Sequence, residues 1–226
     1  SNDYLQYLLK SWSAKSASEL TGLNQLRASA IDSVGTQRLP NKHDEEWRFT
    51  DISPLTRLAY PPSQQQSRLQ FSDIDKFCLQ NTTNRLVFVD NHYSPDLSNV
   101  ADSQIQILGN LHSLMSSHAS TIESHLGHYA KFDHDIFTAL NTAFLHDSAL
   151  IIVPAKTCIT EPIHLLFIAS QQEVSSYPRS LVVSGPDSKV TLIEDYVSIN
   201  QSSYITNTVT EIRLAAHAQV EHIRVQ

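Results

Sequence analysis

A chain of 226 residues with 41% hydrophobic and 17% charged side chains is long enough to bury a real core and is neither disordered nor fibrous. Sixteen Lys and Arg stand against 23 Asp and Glu, a formal charge of −7 with no dense basic run, which argues against direct nucleic-acid binding. No apolar stretch approaches the ~20 residues of a membrane-spanning helix, and no basic segment leads into an apolar one at the start. The expectation is a soluble intracellular protein.

Two cysteines, Cys78 and Cys158, are too few for a disulfide framework and form neither a C-x-x-C nor a zinc-ligand pattern. The chain opens Ser1-Asn2-Asp3, has Met115 as its sole methionine, and stops at Gln226 within a strand-like run. It therefore reads as a piece of a longer protein.

The first elements are helical. Tyr4, Leu5, Leu8, Leu9 and Trp12 recur at helical spacing, and Ser16-Ala17-Ser18-Glu19 is a capping box for a second helix. That helix carries Leu20, Leu23, Leu26, Ala30 and Val34 on one side, with Gly35 predicted to end it and Pro40 to prevent resumption. Pro61 to Gln70 is linker chemistry. Arg85 to Val89 reads as a strand and Asp90 to Pro95 as a turn. Two amphipathic helices follow, one traced by Leu111, Met115, His118, Ile122, Leu126 and Tyr129, the other by Phe137, Leu140 and Phe144.

From Leu150 the period changes to short apolar or alternating runs: 150–153, 163–168, 181–183, 190–193, 209–214 and 220–225. The segment from Val182 to Val190 aligns with that from Ile212 to Val220, 30 residues later, and Ile152 to Ile159 fits the same register. Strands and corners at a fixed interval predict a solenoid of stacked β turns, with Val190 and Val220 neighbours across adjacent strands. A β-sandwich with regular strand lengths fits the same pattern. Three regions result: a helical N-terminal domain over 1–60, a linker with mixed strand and helix over 61–148, and the first β turns over 149–226.

The run from Lys42 to Leu55, with Glu45-Glu46-Trp47-Arg48-Phe49-Thr50-Asp51 at its centre, resembles the N-terminal signature of the SufD branch of the SufB/SufD family. Further similar segments follow in order: Arg85 to Asp90, Ala139 to Phe144, Val153-Pro154 with Glu161-Pro162-Ile163, Leu192 to Ser198, and Thr206 to Glu211. The resemblance implies a mainly β fold, a right-handed parallel β-helix preceded by a helical N-terminal domain, in a non-catalytic scaffold of iron–sulfur cluster assembly. It implies SufB-like and SufC-like partners, with a homodimer as an option, and neither nucleic acid nor membrane. It places the protein in the cytoplasm, or in the plastid stroma of a photosynthetic eukaryote. An iron–sulfur cluster would be held transiently by the complex, with no cofactor bound by this chain; nothing here resembles a flavin site. The rival reading is a carbohydrate-active enzyme or carbohydrate-binding module on a parallel β-helix frame.

The residues themselves assign no catalytic, cofactor-binding or metal-ligating group. Among His118, His125, His128 and His134, only His125 and His128 have a spacing that could put two imidazoles on one helix face, and no carboxylate or thiol matches them. Cys78 and Cys158 read as two buried, small hydrophobic thiols. Glu194 and Asp195 are adjacent in a strand and point to opposite faces, so they cannot act as an acid–base pair. Glu211 and Glu221 stand alone. Trp47 with Arg48 is either a docking anchor or a Trp closing the helical domain.

Overall fold

The protein was described from a computed structural model covering residues 3–12, 21–101, 107–201 and 203–226. Helix α1 (Asp3–Ser11) packs Tyr4, Leu5 and Leu8 against Ala30, Ile31 and Val34 of α2 (Thr21–Thr36). The helical spacing of these apolar residues puts them on one side of each helix. The capping box at Ser16 to Glu19 lies outside the described residues. Gly35 does not end α2 but sits in its last turn. Short helices α3 (Ser53–Thr56) and α4 (Phe71–Ile74) precede the first strand, and α5 (Leu111–Glu123) and α6 (Ile136–Ala143) precede the strand-rich part.

The strands are β1 (Arg85–Val89), β2 (His92–Tyr93), β3 (Ile107–Asn110), β4 (Ala149–Val153), β5 (Ile163–Ala169), β6 (Ser175–Ser176), β7 (Arg179–Ser184), β8 (Lys189–Ser198), β9 (Ile205–Thr206), β10 (Val209–Leu214) and β11 (Gln219–Val225). They form sheets of order β11-β8-β5-β1-β2, β10-β7-β4-β3 and β6-β9. The 30-residue repeat is visible in the parallel registers: Val220 pairs with Val190, Val209 with Arg179, and Ile205 with Ser175.

The fold class expected from the sequence is corrected. The structure is 28% helix and 28% strand, and its sheets are mixed, with β2 and β3 joining β1 and β4 antiparallel. It is a mixed α/β fold rather than a mainly β, right-handed parallel β-helix. The strand period after Leu150 dominates the pattern by eye, yet the helices before it carry a comparable share of residues and bury their own core.

Strand alternation distributes that core. Leu86, Phe88, Leu165, Phe167, Val190 and Leu192 meet Ala149, Ile151, Val153 and Val182 between the two larger sheets. Val87, Val89, Leu166 and Ile168 face the other way, onto Ile74 of α4 and Leu97. Leu150, Leu181 and Val183 are covered by Leu111, Met115 and Ile122 of α5. Both faces of β1, β4, β5 and β7 are thus buried, which is why they read as nearly continuous apolar runs, whereas β11 is largely exposed. Phe88, Phe167 and Tyr196 stack from strand to strand at centroid distances of 5.2 and 5.0 Å.

Gly185 marks the corner between β7 and β8. A Cβ there would lie 2.7 Å from the Ala155 nitrogen and 2.9 Å from the Pro154 carbonyl carbon, and backbone cannot move aside as a side chain could. Gly35 has nothing within 4 Å. Gly185→Ala is therefore expected to lower stability by about 1–3 kcal/mol, whereas Gly35→Ala should raise it by up to ~1 kcal/mol through helix propensity. Urea unfolding of the two variants checks this. A Gly185→Ala chain as stable as its parent would show that the corner is looser than described.

Candidate functional site

The most concentrated polar cluster between the larger sheets is centred on Glu194 of β8, which is fully buried. Its carboxylate accepts from Thr210 Oγ1 of β10 at 2.7 Å, Tyr196 OH at 3.2 Å and Arg224 Nη2 of β11 at 3.3 Å, and lies 3.2 Å from His222 Nε2. Burial pushes the Tyr196 phenol well above its ordinary value, and the neighbouring Glu194 carboxylate adds to the rise. The cluster ties β8, β10 and β11 together. With its carboxylate so fully engaged, it is built to clamp strands rather than to exchange protons with a substrate.

A second buried pair joins the sheets to the helical part. Arg179 of β7 donates to Glu211 of β10 at 2.8 Å and also reaches Asn141 and Thr142 of α6. Glu211 further accepts the backbone amides of Gly127, Tyr129 and Ala130.

A third grouping lines a cavity of about 340 Å³ where the helical part meets the β1–β2 hairpin. Asp90 and Asn91 form a two-residue turn with φ of 49° and 71°, so that Val89 pairs with His92. Such a turn requires left-handed residues, which Asp and Asn tolerate. Asp90 is held in place by Ser170, whose amide and hydroxyl both donate to it. The turn brings His92 to within 4.5 Å of His146, centroid to centroid, with His112 5.3 Å beyond it. Arg27 of α2, 3% exposed, lines the same cavity; its Nε donates to the Ala143 carbonyl, and its guanidinium lies over Trp12.

Two family models divide the chain between them, with their boundary inside β5. Residues 1–165 match the model described as the SufBD protein N-terminal region, and residues 167–226 match the SUF system FeS cluster assembly, SufBD core domain. The chain belongs to the SufBD family. It is 36% identical to an iron-sulfur cluster assembly SufBD family protein of Synechocystis sp., over 96% of this chain and 50% of that protein. It is 25% identical to the chloroplastic protein ABCI7 of Arabidopsis thaliana, over 96% and 46%. It is 23% identical to the iron-sulfur cluster assembly protein SufD of Escherichia coli, over 82% and 42%. The chain thus spans about half the length of these relatives.

In this SufBD chain the residues singled out from sequence are dispersed. His125 and His128 lie beyond the end of α5, in a turn, so they share no helix face. Among the described residues no group of three or more His, Cys, Asp or Glu is arranged to hold a metal ion. Cys158 is exposed rather than buried, and Cys78 is partly buried with its thiol pushed up by desolvation. Neither matches the buried pair expected. Glu194 and Asp195 do point to opposite faces: Asp195 meets buried His164 at 3.1 Å, away from the Glu194 cluster.

Glu211 does not stand alone but is the most heavily bonded carboxylate of the three buried groupings. Nothing in its sequence surroundings signals this, because its partners lie 32 residues away on β7 and about 80 away in the 127–130 turn. Glu221 is exposed and accepts from Thr191. Trp47 packs on the partly buried Phe137 with ring centroids 5.3 Å apart, while Phe49 is 90% exposed beneath Arg48. The exposed aromatic of the signature is therefore Phe49, not Trp47.

Proposed function

We propose that the chain acts as a SufD-like, non-catalytic scaffold subunit of the SUF iron–sulfur cluster assembly complex, pairing with SufB-like and SufC-like subunits. The observation that carries this reading is the match of the whole chain, in order, to the N-terminal and core models of the SufBD family. The use of buried Glu194 and Glu211 as clamps between strands supports it, since a rigid frame needs such contacts and a reaction centre needs reachable ones. The iron–sulfur cluster is then cargo of the assembled complex. No helix among the described residues is long and apolar enough to cross a membrane, in keeping with a place in the cytoplasm or plastid stroma.

The test is co-expression of the gene product containing this chain with SufB and SufC homologues of the same source. A stable mixed complex is expected by size-exclusion chromatography with light scattering. The purified subunit alone should neither hydrolyse ATP nor retain iron stoichiometrically under anaerobic conditions. Migration apart from both homologues, or ATPase activity of the isolated subunit, would sink the proposal.

A further inference from the structure

We infer that the cavity between α2, residues 63–64 and the β1–β2 hairpin binds a small oxyanion of the sulfate or phosphate class through Arg27, His92 and His146. Its wall also carries Ser63, Gln64 and Asn91, and no Asp or Glu among the described residues lines it. A pocket with a guanidinium, two imidazoles, a hydroxyl and amides, in a chain of net charge −7, concentrates donors where an anion can accept from them. Two carboxylates adjoin the lining in sequence, and both are engaged elsewhere: Asp90 accepts from Ser170 and Gln171, and Asp147 meets Asn110 at 2.7 Å and His112 at 3.5 Å.

Proton uptake is built into this site. His92 Nδ1 lies 2.9 Å from the Asp90 carbonyl oxygen, an acceptor, so that nitrogen holds the ring's hydrogen. Nε2 can then donate to an anion only once the ring has gained a second proton. His146 is held low, at about 4, by burial first and then by His92, His112 and Arg27, with Asp147 opposing them. An oxyanion among these groups would favour the imidazolium forms. Binding and protonation therefore reinforce one another, and affinity rises as pH falls.

Sulfate is the first probe, since it stays a dianion throughout the range used. Imidazole NMR signals of the full chain are followed during sodium sulfate addition at constant ionic strength, at pH 7.5 and 5.5. Saturable shifts confined to His92, His146 and His112 are expected, with binding at least tenfold tighter at pH 5.5. His146→Gln and His92→Gln should each weaken binding at pH 5.5 at least fivefold and flatten the pH dependence, while Arg38→Gln, at an exposed residue outside the cavity lining, should change neither. His92→Gln keeps the test open if His146→Gln does not fold. Inorganic phosphate and glycerol phosphate at pH 5.5 form parallel arms: tighter binding of the ester assigns a phosphomonoester, and the reverse order a free ion. Non-saturating shifts, shifts spread over all eleven histidines, or unaltered binding by both Gln variants would overturn the inference.

Discussion

Glu211→Gln is expected to unfold about 3–5 kcal/mol more readily than the parent chain, the range found when one partner of a buried ion pair is removed. Both side chains of the Arg179–Glu211 pair are fully buried. One carboxylate oxygen accepts from the Tyr129 and Ala130 amides, and the other from the Gly127 amide and the Arg179 guanidinium. A glutamine has one NH2 to place, and either orientation points it at donors. It also leaves the Arg179 charge without a counter-ion.

Arg179→Met should be less damaging, because the carboxylate retains three amides. Chemical unfolding of the two variants measures the order, and a reversed order would mean that the amides contribute little. Burial pushes the Glu211 carboxyl up, but Arg179 and the three amides outweigh it and hold the group below the usual carboxylate range. Its contribution is therefore present at neutral pH and is lost as pH falls through that lowered value, a limb that Glu211→Gln lacks.

Much of the strand part is legible because each β turn repeats its apolar positions at nearly constant spacing. Val190 and Val220 can be paired by sliding the sequence on itself, and they pair in the structure. Arg85 to Val89 is bounded by polar turn residues and emerges with those limits. The fold class is misread because the same repeat draws attention from the helices. Alternation along β8 separates Glu194 from Asp195 as two-residue periodicity requires.

The partners of these carboxylates are another matter. Glu194 meets Arg224 30 residues on, a distance the repeat itself supplies, so this contact could have been found by writing the β turns beneath one another. Glu211 meets the 127–130 turn, and His92 meets His146, through packing between helical and strand parts. No periodic pattern encodes those approaches. They depend on a loop leaving α5 and on the handed turn at Asp90-Asn91.

The histidine cluster should also make the fold acid-sensitive well above the carboxylate range. His146 titrates at about 4 in the fold against an ordinary 6.5. Below pH 6.5 the unfolded chain takes up a proton there that the folded chain refuses until near 4. Stability is thus complete above about pH 6.5 and declines as pH falls, by about 3 kcal/mol for this residue at the lower limit. His164, whose value is lowered by burial against the opposing pull of Asp195, acts in the same direction. His146→Gln, which cannot take up the proton, should therefore remove part of the decline and leave the rest. Urea midpoints of parent and variant at pH 7.5 and 4.5 measure the difference. If the parent loses no more stability than the variant over that interval, the ring reaches solvent and is not confined among His92, His112 and Arg27.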